Sequence, residues 1–443
     1  MNYFIKRILL LAPSLFLLSL LIFAISLSAP YLPEAAMEEY ANRSISESFI
    51  EKEDKLDQYR IQHGTFAPPF YIAFHPLSLA DTLYKISDPL VRSGLKRWAL
   101  ELGKWPPIGL LHQKINDAAQ RDSTRHYQYY ALFESESMDQ LIHDGRALNP
   151  NMINAQLQTL LQSPSTVGNL IPHFSWHGSN NRYHQWIGGL LSFDLGKSIV
   201  NGRPVSKTIA KALKWTLSLG LGSLLISLLI AIPLAVKTAQ DPGGILDRFC
   251  QLIFFGLYSI PLFWMATLLL IFFASVHHLQ WFPTFGIGEI ETQMSAFEIL
   301  RLRINHLTLP LICWTYGSLA ILYRFMRAKL KEEMTKDYIL AARSKGLSYQ
   351  KTIWQHAFKN SAFPLITLLG ASLPGLIGGS FVIESVFAIP GMGKLTLDAF
   401  LQRDYPLIFN LSFLACVATV LGVFLADLAY HQLDPRLNDR QNG

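Results

Sequence analysis

DYILAARSKGLSYQKTIWQHAFKNSAFP, residues 337–364, is a basic, moderately polar segment set between two apolar ones. A loop that merely joined two membrane helices could be a few residues long. This one carries the cluster Ala341-Ala342-Arg343, a glycine at Gly346, a second amphipathic stretch, and Pro364 where the next apolar run begins. Residues 338–345 are good helix formers, and Gly346 stands where a helix would stop. Such a helix would lie along a membrane surface and present Ala341 and Ala342 as a flat face of small side chains, with Arg343 and Lys345 as electrostatic anchors. A basic helix resting on anionic lipid fits this pattern, and so does a platform for a partner protein. Physical chemistry alone leaves both readings open.

The rest of the chain decides where that segment sits. Of 443 residues, half are hydrophobic and 16% are charged, against about a quarter charged in soluble domains. The deficit is concentrated in six windows, at roughly 8–29, 212–236, 249–276, 307–323, 362–383 and 407–430. Each approaches the ~20 apolar residues that span a bilayer. The fourth is the shortest and contains Thr315, Tyr316 and Ser318. The chain therefore reads as an integral membrane protein of helical type. The first window could instead be a cleaved signal peptide, with Lys6 and Arg7 ahead of it and Ser26-Leu27-Ser28-Ala29 as the cut. Its apolar run is longer than a signal peptide needs, and Pro30 is a poor residue after a cut, so a retained anchor is expected. Cys250, Cys313 and Cys416 all fall within apolar windows and read as small buried hydrophobes.

Charge orients the windows. Residues 324–359 hold nine basic side chains against three acidic ones. That places the loop in the cytoplasm and, with Lys6 and Arg7, the N-terminus too. An even number of crossings returns the C-terminus, with Arg436 and Arg440, to the same side. The net charge of +6 is then largely membrane-surface asymmetry, and nucleic acid need not be invoked. The same topology puts residues 31–205 outside, where the sequence turns polar and nearly charge-balanced. Helices are expected at 33–60, 117–142 and 154–161, interrupted by Pro106-Pro107 and Pro150. A region of this length can bury its own core.

The opening segment resembles the cytoplasmic signature loop of permease subunits in binding-protein-dependent ABC importers, written Glu-Ala-Ala-x3-Gly. Leu340 stands here for the leading Glu, a departure common in the peptide-transporting branch, and Gln355-His356-Ala357-Phe358-Lys359-Asn360 is similar to that branch's continuation. Glu384-Ser385-Val386-Phe387-Ala388-Ile389-Pro390-Gly391-Met392-Gly393 and Arg403-Asp404-Tyr405-Pro406 resemble its next motifs. So do Asp427-Leu428-Ala429-Tyr430 with Leu433-Asp434-Pro435-Arg436, and Asp194-Leu195-Gly196-Lys197-Ser198 with Pro204-Val205, where Phe193 replaces the usual Gly. The likeness spans about 183–436, in the right order, and points to the first (B-type) permease of the dipeptide/oligopeptide (peptide/nickel) family.

The resemblance implies an all-α integral membrane fold: a six-helix type I ABC importer transmembrane domain, with a large, mostly helical extracytoplasmic insert between helices 1 and 2. The expected divisions are an N-terminal transmembrane helix (1–30), the insert (31–205), a five-helix core (206–436) with its coupling loop (327–361), and a cytoplasmic tail (437–443). It implies ATPase coupling through Ala341, Ala342, Arg343, Lys345 and Gly346. Pathway or outer-gate candidates are Glu384, Pro390, Gly391, Gly393, Arg403 and Asp404. Glu384 taken alone reads as a solvated helix-end carboxylate, and Asp427 as half of a structural ion pair. The implied partners are a homologous second permease, two ATPases, an extracytoplasmic solute-binding protein and membrane lipid. The implied cargo is di- or oligopeptide, with nickel chelates, glutathione or antimicrobial peptides as alternatives. A membrane-anchored sensor built on the insert is the reading from another class.

Other signals fail. Gly391-Met392-Gly393-Lys394 lacks the first glycine and the Ser/Thr of a phosphate loop, with Ala388 and Leu395 in those places. No cofactor is expected in this chain, ATP and Mg being left to the partner ATPases. His173-x3-His177 has ligand spacing but not the neighbouring Glu of a zinc protease, so no metal is expected there. His277-His278 reads as interfacial. No catalytic constellation can be assembled. The family's Gly-Asp-Pro after the first span is absent, Ser28-Ala29-Pro30-Tyr31 standing instead, and the insert is longer than the likeness suggests.

Overall fold

The computed structural model of the chain describes residues 3–28, 58, 61 and 66–433, apart from 87, 123 and 166. The helix expected over 33–60 (58 excepted), the Asp434-Pro435-Arg436 stretch and the tail lie outside these residues. Contacts divide the chain into two compact units, Met1–Ser26 with Leu195–Gly443, and Leu27–Asp194. The first begins with α1 (Tyr3–Ser28), which runs through the first apolar window.

The Leu27–Asp194 unit contains β1 (Ile72–Pro76), α2 (Pro89–Leu102), α3 (Pro106–Arg121), α4 (His126–Ala131), α5 (Met138–Leu148), α6 (Ala155–Leu161), β2 (Pro172–Trp176) and α7 (Arg182–Leu191). Local chemistry sets the boundaries. Asp88 caps α2 by accepting from the amides of Leu90 and Val91, while Pro89 takes a first-turn position that needs no N–H. Ser137, Asn154 and Asn181 cap α5, α6 and α7. Pro106-Pro107, expected to interrupt, instead begin α3. The helix expected over 117–142 is broken: α3 ends at Arg121, and Thr124 Oγ donates to Asp122 Oδ1 at 2.6 Å. Side-chain bonding of this local kind competes with helix propagation.

The unit has its own core. Trp98 stacks on Phe133 with centroids 5.4 Å apart, its indole N–H donates to the Ser135 carbonyl, and Leu95, Ile108, Leu111 and Leu141 close around the pair. At Gly94 a Cβ would lie 2.6 Å from the Phe133 carbonyl oxygen, so only glycine lets α2 approach so closely. β1 and β2 pair antiparallel, Ile72 opposite Trp176 and Phe74 opposite Phe174. This small sheet qualifies the all-helical expectation. His177 does not stand ready for a metal: its ring nitrogens face the Phe70 carbonyl and Asp81 Oδ2. Among the described residues no group of three or more His, Cys, Asp or Glu could hold a metal ion.

The other unit continues with α8 (Val205–Gln240), α9 (Ile245–Ser259), α10 (Leu262–Phe273), α11 (Ala296–Met334), α12 (Asp337–Ser344), α13 (Phe358–Gly378), α14 (Phe381–Val386), α15 (Met392–Leu401) and α16 (Tyr405–Leu433). Five described helical stretches are long and apolar enough to cross a membrane, and the bent pair α9–α10 makes a sixth if counted as one span. At 1.5 Å per residue α8 and α11 reach about 54 and about 58 Å, well beyond a hydrocarbon core of about 30 Å. The window at 307–323 is only the apolar middle of α11.

The window at 249–276 is not one straight helix. α9 and α10 meet at 98°, because Pro261 cannot donate to the helix ladder and forces Ile260 into extended backbone. Tyr316 of α11 donates its hydroxyl to the Ile260 carbonyl at 3.1 Å, satisfying an acceptor that the break leaves open. Ala231, Ala235, Ala320, Tyr323, Met326 and Leu330 pack α8 against α11, and Ile339, Ile353 and Ala357 join the same cluster. α13 and α16 meet through small residues: a Cβ on Gly370 would come within 2.3 Å of Ala426 Cβ.

Candidate docking helix and its supports

The segment that opened the reading folds as a short helix, a turn and the start of a long helix. α12 carries Asp337 in its first turn and Arg343 in its last, both favourable to the helix dipole. It stops at Gly346, whose φ of +82° suits glycine. The two alanines do not share a face. Ile339 and Ala342, three residues apart, are buried, while Leu340, Ala341, Arg343, Lys345 and Gly346 are exposed. Successive helical residues project about 100° apart, so Ala342 belongs to the inner stripe and only Ala341 is offered outward. Nothing lies within 4 Å of where a Gly346 Cβ would be.

Both flanks of α12 are pinned. Tyr338 and Lys336 each hydrogen-bond Glu333, at 2.5 Å. Burial first, and then the Glu333 carboxylate, push the Tyr338 phenol up to about 12. Beyond Gly346 the Arg343 guanidinium lies 5.4 Å from the Tyr349 ring centroid, and the Tyr349 hydroxyl donates to the Gln240 carbonyl at the end of α8. Ser348 caps the turn Tyr349–Thr352, and one π-helical turn, Ile353–Ala357, leads into α13. Pro364, expected to begin the next helix, is inside it.

An ion pair between a buried acid and a half-buried arginine, which the sequence reading missed, stands nearby. Arg327 of α11 grips Asp247 of α9 with Nε to Oδ1 at 2.5 Å and a terminal nitrogen to Oδ2 at 2.6 Å. Asp247 is 1% exposed and also accepts from the Gly243 amide. The one available signal was an acid bordering an apolar window, which demands a partner. In the sequence Arg327 is one of nine cations in residues 324–359, with nothing to single it out.

The gate candidates separate into two sets of contacts. Glu384 is fully buried, which corrects the reading of a solvated carboxylate. It accepts from Thr216 Oγ at 2.8 Å and from the Lys394 amide at 2.9 Å, while Thr216 Oγ accepts from the Met392 amide. Thr216 and Glu384 thus cap the first turn of α15 from elsewhere in the fold, supplying acceptors that Gly391 cannot. A Cβ on Gly391 would lie 2.4 Å from the Glu384 carboxyl carbon, and one on Gly393 2.5 Å from the Phe381 nitrogen. The amides that a phosphate loop would need are therefore occupied. Pro390 is exposed. Asp404 is buried against Ser198, whose hydroxyl donates to it, and accepts from the Ile199 amide. Arg403 is exposed, with a φ of +55°. A cavity of about 610 Å³ is lined by Phe325, Pro364, Thr367, Leu368, Ala371 and Asp427, among others.

A multi-pass helical chain with a built, outward-facing platform has the features of a transport component. Residues 223–439 match the family described as the binding-protein-dependent transport system inner membrane component. The oligopeptide transport system permease protein AppB of Bacillus subtilis is 38% identical over 257 residues, 58% of this chain and 79% of the relative. The dipeptide transport system permease protein DppB of the same organism is 35% identical over 263 residues, 59% and 80%. The peptidoglycan transport system permease protein YejB of Agrobacterium fabrum is 31% identical over 259 residues, 58% and 71%. The chain belongs to this binding-protein-dependent permease family. It is a multi-pass inner-membrane transport subunit, not an enzyme, of a system that includes a binding protein and an ATPase.

Proposed function

We propose that this subunit, paired with a homologous second permease, forms the pathway by which di- and oligopeptides are imported. ATP is bound and hydrolysed, with Mg, by two partner ATPases, and a solute-binding protein delivers cargo to the outer face. The carrying observation is α12: a pinned helix with Leu340, Ala341, Arg343 and Lys345 outward and Gly346 free of neighbours. In this reading it is the coupling helix, both termini are cytoplasmic, and residues 31–205 are outside. ATP binding closes the ATPase dimer, α12 follows, and the paired bundles exchange inward- and outward-facing states. Peptide is the cargo favoured because the relatives described above carry oligopeptide, dipeptide and peptidoglycan in their names.

The experiment is uptake of labelled di- and oligopeptides by proteoliposomes holding the whole complex and its binding protein. Peptide uptake driven by ATP is expected. Native mass spectrometry of the cognate binding protein identifies its ligand; a nickel chelate or glutathione there, with no peptide uptake, overturns the cargo while leaving the machinery.

A further inference from the structure

We propose that Asp247 and Arg327 are positioning residues that make the coupling helix and the α8–α9 turn move as one body. The inference rests on α12 being the coupling helix. Two routes run from α12 to the same turn. One follows the chain backward along α11 to Arg327 and crosses to Asp247, whose Oδ2 also holds the Gly243 amide at 2.9 Å. The other runs from Arg343 to the Tyr349 ring and on to the Gln240 carbonyl, at the other edge of residues 241–244. The Asp247–Arg327 pair closes this ring. A two-pronged guanidinium–carboxylate bond fixes orientation as well as distance, and Asp247, 1% exposed, has no water to turn to in place of the half-buried Arg327. Motion of α12 is thus delivered to α8 and α9 together instead of being lost as a swing of α12 about the end of α11.

The test uses the complete reconstituted complex with its binding protein and measures labelled di- or oligopeptide imported per ATP hydrolysed for wild type, Asp247→Asn, Arg327→Gln and Arg327→Lys. Both neutral variants are expected to reach the membrane and hydrolyse ATP, with import per ATP falling roughly two- to thirty-fold. Arg327→Lys should lie between, having one point charge in place of a fork. An unchanged ratio in the neutral variants overturns the proposal. If they are missing from the membrane, Arg327→Lys decides by the same ratio; if all three are missing, the pair is a folding determinant and the proposal falls.

A second measurement needs no cargo. Spin labels on Ser344→Cys and Lys237→Cys, in a chain lacking its three native cysteines, should keep one distance through ATP binding and hydrolysis, and spread in Asp247→Asn. A distance that changes in the labelled parent sinks the positioning role. A constant distance with no peptide import sinks only the cargo assignment.

Discussion

Glu384 shows how a residue can be found for one reason and matter for another. Its place in the motif is legible, but its burial is not, because Thr216, which donates to it, lies 168 positions away in the chain. Glu384→Gln leaves an acceptor for one partner and sets an amide N–H2 toward the other donors. That mismatch should cost about 1–3 kcal/mol, read as a lower thermal midpoint in detergent. Gly346 is the opposite case, since its environment is empty. Gly346→Asn, which tolerates a left-handed backbone, should keep both membrane level and uptake, whereas Gly346→Asp should keep the level and abolish uptake. If ATPase co-purification and transport both survive the aspartate, α12 is not the docking helix. His112 of α3, edge-on to Phe133, gives a pH prediction. Burial holds its imidazole below the ordinary value, so the unfolded chain binds the proton more readily. Stability from this group is complete above the ordinary value of about 6.5 and falls as pH drops through it. The protection of amides in α3 and α4, taken as their exchange relative to an unstructured chain at the same pH, should fall between about pH 7.5 and 5.5, and His112→Gln should flatten that response.

At the scale of elements, apolar windows found the helices and missed their ends. α8 and α11 continue as helix well after their sequence turns polar, because caps and packing, not hydropathy, end a helix. Prolines misled in both directions: Pro261 bends a run that composition read as one span, while Pro364 sits inside a helix it was expected to begin. A neighbouring element decides such cases by satisfying or failing to satisfy the freed backbone groups, as Tyr316 does for Ile260. Tyr316→Phe should therefore cost about 1–3 kcal/mol and lower the thermal midpoint without changing the membrane level of the folded subunit. The two faces of α12 should separate as well. Ala342→Val adds bulk to a packed stripe and should cost about 1–3 kcal/mol. Ala341→Asp should leave stability and abundance unchanged and reduce ATPase co-purification; equal behaviour of the two would contradict the assigned faces.

For the whole molecule, composition changes at about 31 and 205 while the compact units divide at 26/27 and 194/195, and the small sheet has no signal in composition at all. Pairing β1 with β2 depends on strands about a hundred positions apart, beyond any local signal. We expect the Leu27–Asp194 unit to act as a lid or as an added surface for the binding protein. Removing residues 34–169 would strip β1 away and leave β2 unpartnered, so the informative deletion runs from 29 to 194 with a short flexible bridge. The shortened subunit should still reach the membrane, with weaker binding-protein affinity or slower uptake. Wild-type values for both would end that role.

The sheet also bears on how such a subunit could arise. Ile72 sits directly opposite Trp176, so the strand that leads into the helical core and the strand that leads out of it are side by side. A domain closed in this way needs no particular spacing between the sequences that flank it. It behaves as a cassette: one in-frame recombination could introduce it into a short loop, or delete it, without re-registering the helices on either side. The transport machinery and the appended domain could then be selected separately, each changing at its own pace.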